Sequence, residues 1–227
     1  MSLLNRVTFI SFLVLSFNSY ANQAMPDDFV IVNDLMPDAI FDIKYHSDDN
    51  FVGEVVDGYH ADKCILQQKA AIALLAVYRK AKELNFNIKV FDCYRPQKAV
   101  DHFIRWVNDI KDTSTKDNFY PNLDKASLLG PYIAPKSGHS RGSTLDLTLV
   151  KKVKGQWQEL DMGSAFDLFD PISNTDDKRI SMQQKDNRLL LKKLMLEAGF
   201  LDYDMEWWHF TLVEQAYPNH YFNFTVR

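Results

Sequence analysis

Two short polar motifs, sixty residues apart, constrain the fold of this 227-residue chain more than any other feature. The first reads Ser-Gly-His-Ser-Arg-Gly-Ser-Thr-Leu-Asp over residues 137–146, and the second reads Glu-Trp-Trp-His over residues 206–209. Together they offer two imidazoles, one carboxylate ligand and one further carboxylate. A catalytic zinc site takes three such ligands from the protein and keeps a fourth position for water. The two motifs form one site only in a fold that brings them together.

Four residues of these motifs are candidates for hydrolytic zinc chemistry. His139, Asp146 and His209 have side chains of the types that bind zinc. Bound zinc lowers the pKa of a water ligand to roughly 7, and a nearby carboxylate that is not a ligand can remove the proton. Glu206 fits that role of base. A single His or Asp in a chain of this length is usually structural or solvated, but the combination favours a functional site.

The backbone must take an unusual course at both motifs. Gly142 lies between the first two ligands, where it permits a positive φ or a close approach that a Cβ would prevent. Residues three apart share a face of a helix but point to opposite faces of a regular strand. The two tryptophans at 207–208 favour a strand. A bulge or bend is therefore needed for Glu206 and His209 to reach one metal.

Both motifs resemble those of a known family. Ser-x-His-x-x-Gly-x-x-x-Asp followed by Glu-x-x-His is the pattern of the zinc D-Ala-D-Ala peptidases, and longer strings are similar to the D-alanyl-D-alanine dipeptidases of the vancomycin-resistance type. The resemblance runs from about Asp34 to the C-terminus. The strings are Tyr-Arg-Pro at 94–96, Ser-Arg-Gly-Ser-Thr-Leu-Asp-Leu-Thr-Leu at 140–149, Met-Gly-Ser-Ala-Phe-Asp at 162–167 and Met-Glu-Trp-Trp-His-Phe at 205–210.

The resemblance implies an activity and a set of site residues. The implied enzyme hydrolyses D-Ala-D-Ala to two D-alanines with one zinc ion per chain. Arg95 matches the family's arginine that stabilises the transition state, although any arginine is more often part of a surface salt bridge. Asp167 matches the residue that meets the substrate's amino end, with Tyr45 as a helper, and Ser137 matches a donor to the carboxylate. Composition alone would make Asp167 a helix cap and Tyr45 an edge of the core.

The hydrophobic periodicity predicts a single α+β domain. Helices and strands do not alternate regularly and two strand pairs look antiparallel, so we expect helices packed against a central antiparallel sheet with the zinc site on the sheet. The resemblance implies the same fold, that of the D-Ala-D-Ala metallopeptidases and Hedgehog-like domains. The patterns predict helices over about 62–84, 96–110 and 190–198, strands near 88–91, 144–150, 157–160 and 205–213, and a surface excursion over 111–136 that walls a site.

The N-terminal residues are typical of an export signal. Arg6 provides a positive start, residues 7–17 are mostly apolar, and Ser-Tyr-Ala at 19–21 offers a cleavage site. Eleven residues are too few to cross a bilayer, which needs about twenty, although an uncleaved anchor or a buried helix is the alternative. The sequence therefore predicts a signal peptide over 1–21, a catalytic domain over 22–227, and a periplasmic or secreted location.

Charge and composition limit the partners. Removal of residues 1–21 takes away one charge, Arg6, so the net charge moves from −4 to −5. A mildly acidic chain without a Lys/Arg cluster argues against nucleic acid or an anionic membrane as partner. With 46% hydrophobic residues the mature chain can bury one core, without stable membrane insertion. We expect a small D,D-dipeptide as the partner and leave the oligomeric state open.

The two cysteines predict a disulfide. Cys64 lies at the start of the first predicted helix and Cys93 precedes Tyr-Arg-Pro, so a bond would fix the Arg95 loop to that helix. An exported chain meets an oxidising compartment, which favours the bond. The alternative is a pair of small buried thiols. Neither cysteine belongs to a Cys-x-x-Cys pair of the metal-binding type.

Three other functions fit part of the pattern. A zinc D,D-carboxypeptidase or endopeptidase that acts on peptidoglycan stem peptides would use the same ligands, but the Asp167 segment favours the dipeptidase. Two His and one carboxylate also form the facial triad of non-haem iron oxygenases, although His139 and Asp146 are seven apart and Glu206 would have no role. A zinc-stabilised binding module would not need Glu206 and Arg95.

Overall fold

A six-stranded sheet forms the centre of the structure, a computed structural model that describes residues 23–227. The predicted signal peptide, residues 1–21, lies outside the described residues. The strands are β1 (Phe29–Ile31), β2 (Ile40–Phe41), β3 (Ile65–Gln67), β4 (Asn87–Asp92), β5 (Thr144–Val153), β6 (Gln156–Glu159), β7 (Phe200–Tyr203) and β8 (Glu206–Leu212), and the helices are α1 (Gln68–Glu83), α2 (Gln97–Asn108), α3 (Lys116–Phe119) and α4 (Met182–Glu197).

The sheet is antiparallel except at one edge. Its strands follow the order β2-β4-β5-β8-β7, and β6 pairs with the far half of β5. β2 runs parallel to β4, and every other pair in this sheet is antiparallel. β1 and β3 form a separate antiparallel pair. This topology confirms the predicted α+β class and the mainly antiparallel central sheet.

Burial explains why β5 is the central strand. Its first seven residues, Thr-Leu-Asp-Leu-Thr-Leu-Val, are all buried, as expected of a strand that is covered on both faces. α1 packs on β4 and α4, and its buried side chains recur at helical spacing. The buried residues of α1 are Ala70, Ala71, Leu74, Val77 and Ala81.

Two predicted helices begin at other residues than expected. α1 starts at Gln68 and not near residue 62, because Ile65–Gln67 pair with β1 and the Gln67 side chain accepts the Lys69 N–H at 2.8 Å. The prediction that Cys64 opens this helix is therefore wrong. α4 starts at Met182, eight residues before the predicted start, because Ser181 and Gln184 form a capping box ahead of its polar first turns.

Other corrections concern the connections. The pattern predicts that the second helix continues to residue 110 with Ile110 on its buried face, but α2 ends at Asn108 and Ile110 is 65% exposed. Residues 111–136 are not only a surface excursion, since α3 lies within them and Tyr120 and Leu128 are buried. β7 was not predicted; its side chains are of mixed burial and its four residues are too few for a periodicity.

A disulfide joins Cys64 to Cys93, with Cα atoms 5.2 Å apart. This confirms the predicted bond. It connects the segment before β3 to the loop after β4, and Tyr94 N–H reinforces the connection by donating to the Ile65 carbonyl at 2.9 Å. The loop that carries Arg95 is thus attached to β3 by a covalent bond and a hydrogen bond.

Candidate functional site

Three acidic or basic residues lie side by side across the sheet. Asp92 on β4 is the register partner of Asp146 on β5, and Asp146 is the partner of His209 on β8. The register of β4 against β5 shifts between Val90 and Asp92, which marks a bulge at that point. The row places two of the predicted ligands on neighbouring strands.

A second irregularity brings Glu206 and His209 together. Asp202 of β7 pairs with Phe210, but the next residue, Tyr203, pairs with Glu206, so residues 207–209 of β8 bulge out of the regular ladder. The usual alternation of burial is interrupted there, because both tryptophans are buried. As a result Glu206 Oε2 lies 3.5 Å from His209 Nδ1, on one side of the strand. This is the bulge that the sequence required.

His139 reaches the row from a short 3-10 turn, Gly138–Arg141, that leads into β5. The Ser137 hydroxyl oxygen starts the turn by accepting the His139 N–H at 3.3 Å. Gly142 ends it with a φ of 78°, and a Cβ at this position would lie 2.2 Å from the Phe29 ring. Glycine is therefore required at residue 142 by both its conformation and its packing.

The side chains of His139, Asp146 and His209 form a group that could hold a metal ion. Their ligand atoms lie within 4.8 Å of one another. His139 Nδ1 is 2.7 Å from the Cys93 carbonyl, so that nitrogen donates and Nε2 keeps its lone pair toward the group. Asp146 Oδ1 lies 3.1 Å from His209 Nδ1 but is buried without a hydrogen-bond donor among the described residues. Converging lone pairs and an unsatisfied buried carboxylate oxygen suit a cation.

The pKa shifts of Asp146 and His139 agree with that interpretation, whereas for His209 burial lowers the pKa but Asp146 outweighs it and raises the pKa. Burial would raise the pKa of Asp146, but the two imidazoles outweigh it and hold the pKa well below its usual range. Burial lowers the pKa of His139, which favours the neutral form that binds metals. Burial also raises the pKa of Glu206 to about 7, with Asp146 adding to the shift and His209 opposing it.

Arg95 lies against this group and is not a surface residue. Its Nε donates to Asp92 Oδ2 at 2.9 Å, and its Nη2 lies 3.6 Å from Asp146 Oδ2. The guanidinium carbon lies 4.9 Å from the centre of the Tyr45 ring and 5.0 Å from that of Phe103. Arg95 thus packs against two adjacent aromatic rings and has a buried carboxylate partner, so the surface salt bridge considered from the sequence is wrong.

Asp167 faces the same space from a long loop. It is 6% exposed, has a φ of 59°, and accepts the Tyr45 hydroxyl on Oδ2 at 2.8 Å. Burial raises the pKa of Asp167 well above its usual range, and Asp146 adds to the shift. Asp167 caps none of the described helices, so the capping role considered from composition is wrong. Tyr45 is 1% exposed and belongs to the buried core where the core borders the cavity, as composition suggested.

Arg188 of α4 organises that loop, and sequence reasoning missed it. The side chain is fully buried, and none of its acceptors among the described residues is a carboxylate. Its guanidinium donates to the carbonyls of Met162 and Asn174, both at 2.6 Å, and to that of Ile172 at 3.0 Å. Nothing in the polar run Met-Gln-Gln-Lys-Asp-Asn-Arg at 182–188 distinguishes this arginine from a solvated one.

All eight residues that the sequence predicts for catalysis, metal binding or substrate binding line one cavity of about 240 Å³. Pockets for drug-sized ligands are typically about 300–1,000 Å³, so this cavity suits a smaller molecule. Residues 130–134 form part of its wall, as expected for a long connection that walls a site. The eight residues are Tyr45, Arg95, Ser137, His139, Asp146, Asp167, Glu206 and His209.

Comparisons with known proteins agree on one family. The family model described as D-ala-D-ala dipeptidase matches residues 25–227. The chain is 40% identical over 203 residues to the D-alanyl-D-alanine dipeptidase of Streptomyces coelicolor and 39% identical over 203 residues to that of Enterococcus faecalis; both alignments cover 89% of this chain and 100% of the relative. A D-alanyl-D-alanine dipeptidase of Escherichia coli is 31% identical over 185 residues, with 81% of this chain and 84% of the relative covered.

Proposed function

Because the chain belongs to the D-ala-D-ala dipeptidase family, we propose that it is a zinc metallopeptidase that hydrolyses the free dipeptide D-Ala-D-Ala to two D-alanines. One observation carries the proposal. A small cavity is lined both by the His139–Asp146–His209 group and by the buried Asp167. A free dipeptide has both a scissile carbonyl and a charged amino group, and the cavity offers a partner for each.

The metal ligands in this proposal are His139, Asp146 and His209. Two nitrogen atoms and one carboxylate oxygen are a donor set that suits zinc and leaves a fourth position open. A zinc ion held there would supply a Lewis acid that polarises the peptide carbonyl and lowers the pKa of a bound water to roughly 7. The Cys93 carbonyl, which accepts from His139 Nδ1, would keep that ring in the tautomer and orientation of a ligand.

Glu206 is the proposed general base. It directly precedes the bulge that contains His209 but contributes no atom to the metal-binding group. Burial raises its pKa to about 7, near the pH at which a base both accepts and returns protons efficiently. Glu206 would take a proton from the attacking water and deliver one to the nitrogen of the leaving D-alanine.

Arg95 is the proposed partner of the developing negative charge. Attack on the peptide carbonyl places charge on its oxygen, and a fixed cation that is already in position stabilises that charge without reorganising. The Arg95 guanidinium borders the cavity, and its contacts with Asp92, Tyr45 and Phe103 limit its motion.

Three residues would bind the two charged ends of the dipeptide. Asp167, with Tyr45 hydrogen-bonded to it, would meet the ammonium group. A bound ammonium would favour the charged form of a carboxylate whose pKa is raised by burial. Ser137 already accepts from His139 N–H, so its hydroxyl proton is free to donate to the substrate carboxylate.

The other activities on this scaffold fit less well. A carboxypeptidase or endopeptidase must accommodate a longer peptide beyond the amino side of the scissile bond, where this proposal places the buried pair of Asp167 and Tyr45. An iron oxygenase would leave Glu206 and Arg95 without a function.

Export remains part of the proposal. A disulfide between Cys64 and Cys93 fits an oxidising compartment, which supports a periplasmic or secreted location. Among residues 23–227, the structure has no helix with the length and apolar character that crossing a bilayer requires. Intact mass of protein recovered from the periplasm tests the location: a chain that begins near Asn22 supports it, and a retained Met1 contradicts it.

The substrate is tested with two dipeptides. Zinc-loaded protein is incubated with D-Ala-D-Ala and, separately, with N-acetyl-D-Ala-D-Ala, and released D-alanine is measured. We expect the free dipeptide to be cleaved and the acetylated one to be a poor substrate, because acetylation removes the charge that Asp167 would meet. Equal cleavage would support the carboxypeptidase, and release from neither substrate would contradict the proposal.

A further inference from the structure

A buried carboxylate behind the cavity has no role in the mechanism above. Asp92 is completely buried, and both of its oxygens are engaged. Oδ2 accepts from Arg95 Nε at 2.9 Å and lies 2.9 Å from Arg95 Nη2. Oδ1 accepts the hydroxyl of Tyr59 at 2.7 Å. The carboxylate therefore connects Arg95, which borders the cavity, to Tyr59, which does not.

Tyr59 is itself firmly placed. It is 1% exposed, and its ring lies 5.6 Å from that of Tyr45. The backbone on each side is paired with Val226, because Val226 N–H donates to the Gly58 carbonyl and His60 N–H donates to the Val226 carbonyl, both at 2.9 Å. Burial raises the pKa of Tyr59 well above its ordinary value, and Asp92 adds to the shift, so the hydroxyl stays a donor.

We propose that Tyr59 is a positioning residue that holds the Arg95 guanidinium in place through Asp92. The inference rests on the proposed function, in which Arg95 stabilises the transition state. A carboxylate with one oxygen anchored by Tyr59 cannot turn about its Cβ–Cγ bond, so the other oxygen keeps a fixed direction toward Arg95. Tyr59 would thus act on the reaction without contacting the substrate.

The alternative partner of Arg95 shows why its position matters. Asp146 Oδ2 lies 3.6 Å from Arg95 Nη2, farther than Asp92 but close enough to attract the guanidinium if Asp92 turned away. Arg95 would then move toward a proposed metal ligand and away from its place in the cavity. A displacement of about 1 Å from productive geometry can lower the rate by about 100-fold.

Two matched tyrosine variants test the proposal. Tyr59→Phe removes one hydroxyl, and Tyr94→Phe is the control, because Tyr94 is equally buried and donates to the Phe224 carbonyl at 2.9 Å. We expect Tyr59→Phe to lower kcat on D-Ala-D-Ala by about 10- to 100-fold, with little change in KM. The zinc content should stay at the wild-type level, because His139 is oriented by the Cys93 carbonyl. Tyr94→Phe should keep the wild-type kcat.

A double-mutant cycle separates positioning from general damage. If Tyr59 acts through Arg95, Tyr59→Phe has no further effect on kcat in the Arg95→Ala background. An independent loss in that background, or a kcat for Tyr59→Phe equal to that of the control, would overturn the inference. Should Tyr59→Phe fail to fold, Asp92→Asn replaces it in the same cycle, and zinc content is measured beside kcat because Asp92 Oδ2 also lies 3.4 Å from His139 Nδ1. A loss of kcat at full zinc content that disappears in the Arg95→Ala background supports the inference, and a loss that persists there contradicts it.

Failure of the proposed function gives a different result. Wild-type protein that cleaves no D,D-dipeptide contradicts the dipeptidase but leaves the positioning open to a direct measurement. Crystal structures of the wild type and of Tyr59→Phe then compare the guanidinium. A displaced Arg95 in the variant supports the inference, and an unmoved Arg95 contradicts it.

Discussion

The two sides of the cavity are built in different ways. On the sheet side, Asp146, Glu206 and His209 lie on β5 and β8, so strand register and one bulge determine their positions. On the loop side, Tyr45 and Asp167 lie outside the sheet, and side-chain hydrogen bonds hold them. The sheet side contains the groups proposed for catalysis, and the loop side those proposed for selecting a free amine. We therefore expect that a substitution on the sheet side can lower the catalytic rate without changing the preference for a free amine, and that a substitution on the loop side can do the reverse.

The largest effect is expected from loss of a metal ligand on the sheet side. His139→Ala removes one of the three proposed ligands, so we expect low zinc content. Loss of a residue that only supports a metal ligand can cost roughly 100-fold in activity, and we expect loss of a ligand itself to lower turnover by more than that. Metal analysis per chain measures the first, and D-alanine release the second. His60→Ala is the control, since His60 is exposed. Full zinc occupancy in His139→Ala would show that the ligand set is wrong.

Loss of the base should damage turnover but not metal binding. Glu206→Ala is expected to lower kcat by about 100- to 10,000-fold, the usual contribution of a general base, while zinc stays bound because Glu206 is not in the ligand group. The exposed Glu214 provides the control variant Glu214→Ala. Wild-type turnover in Glu206→Ala would contradict the mechanism itself.

The sequence predicted which residues meet on the sheet side, because those residues lie in short motifs of the sequence. The spacing from His139 to Asp146 and from Glu206 to His209 is visible in short strings, and the requirement for a bulge followed from strand geometry. The disulfide followed from the count of cysteines and the predicted export signal. These features depend on few residues and on chemistry that limits the alternatives.

The residues of the loop side, and the buried residues that hold the site residues in place, could not be predicted in this way. Tyr45 and Asp167 are 122 residues apart, so only the family resemblance suggested that they act together. Asp92 lies two residues before the Tyr-Arg-Pro string at 94–96 and was assigned no role, while Tyr59 and Arg188 carried no local signal. Their roles arise from burial and hydrogen bonding, which a single sequence does not show. Short strands such as β2 and β7 were missed because they have too few residues for a periodicity.

A variant of Arg188 should damage the loop side and spare the sheet side. Arg188→Lys keeps the charge but cannot reach all the carbonyls that fix the Asp167 loop. We expect KM for D-Ala-D-Ala to rise by about tenfold, equivalent to about 1.4 kcal/mol of binding, with kcat nearly unchanged. Steady-state kinetics measures both.

The matched control for that variant is Arg179→Lys, because Arg179 lies close to the same loop and its side chain is 52% exposed. The control should keep the wild-type KM. If Arg188→Lys lowered kcat and left KM unchanged, the proposed separation of the two sides would be wrong.

The disulfide should matter more for stability than for turnover. The double variant Cys64→Ser/Cys93→Ser opens a loop of 29 residues in sequence separation, and loop entropy predicts a loss of about 3–4 kcal/mol in the free energy of unfolding. Turnover should fall less than in His139→Ala or Glu206→Ala, because the carbonyl of residue 93, and not its sulfur, faces His139. Denaturant unfolding measures the loss, and an unchanged midpoint would contradict the prediction.

The most direct test of the two-sided cavity is the substrate preference of Asp167→Asn, measured as kcat/KM on D-Ala-D-Ala and on N-acetyl-D-Ala-D-Ala. Truncating one partner of a buried, hydrogen-bonded charge pair costs about 2–5 kcal/mol, so we expect kcat/KM on the free dipeptide to fall by at least about 30-fold. Activity on the acetylated dipeptide and zinc content should not fall. A variant that keeps the wild-type kcat/KM and preference for the free dipeptide would contradict the account.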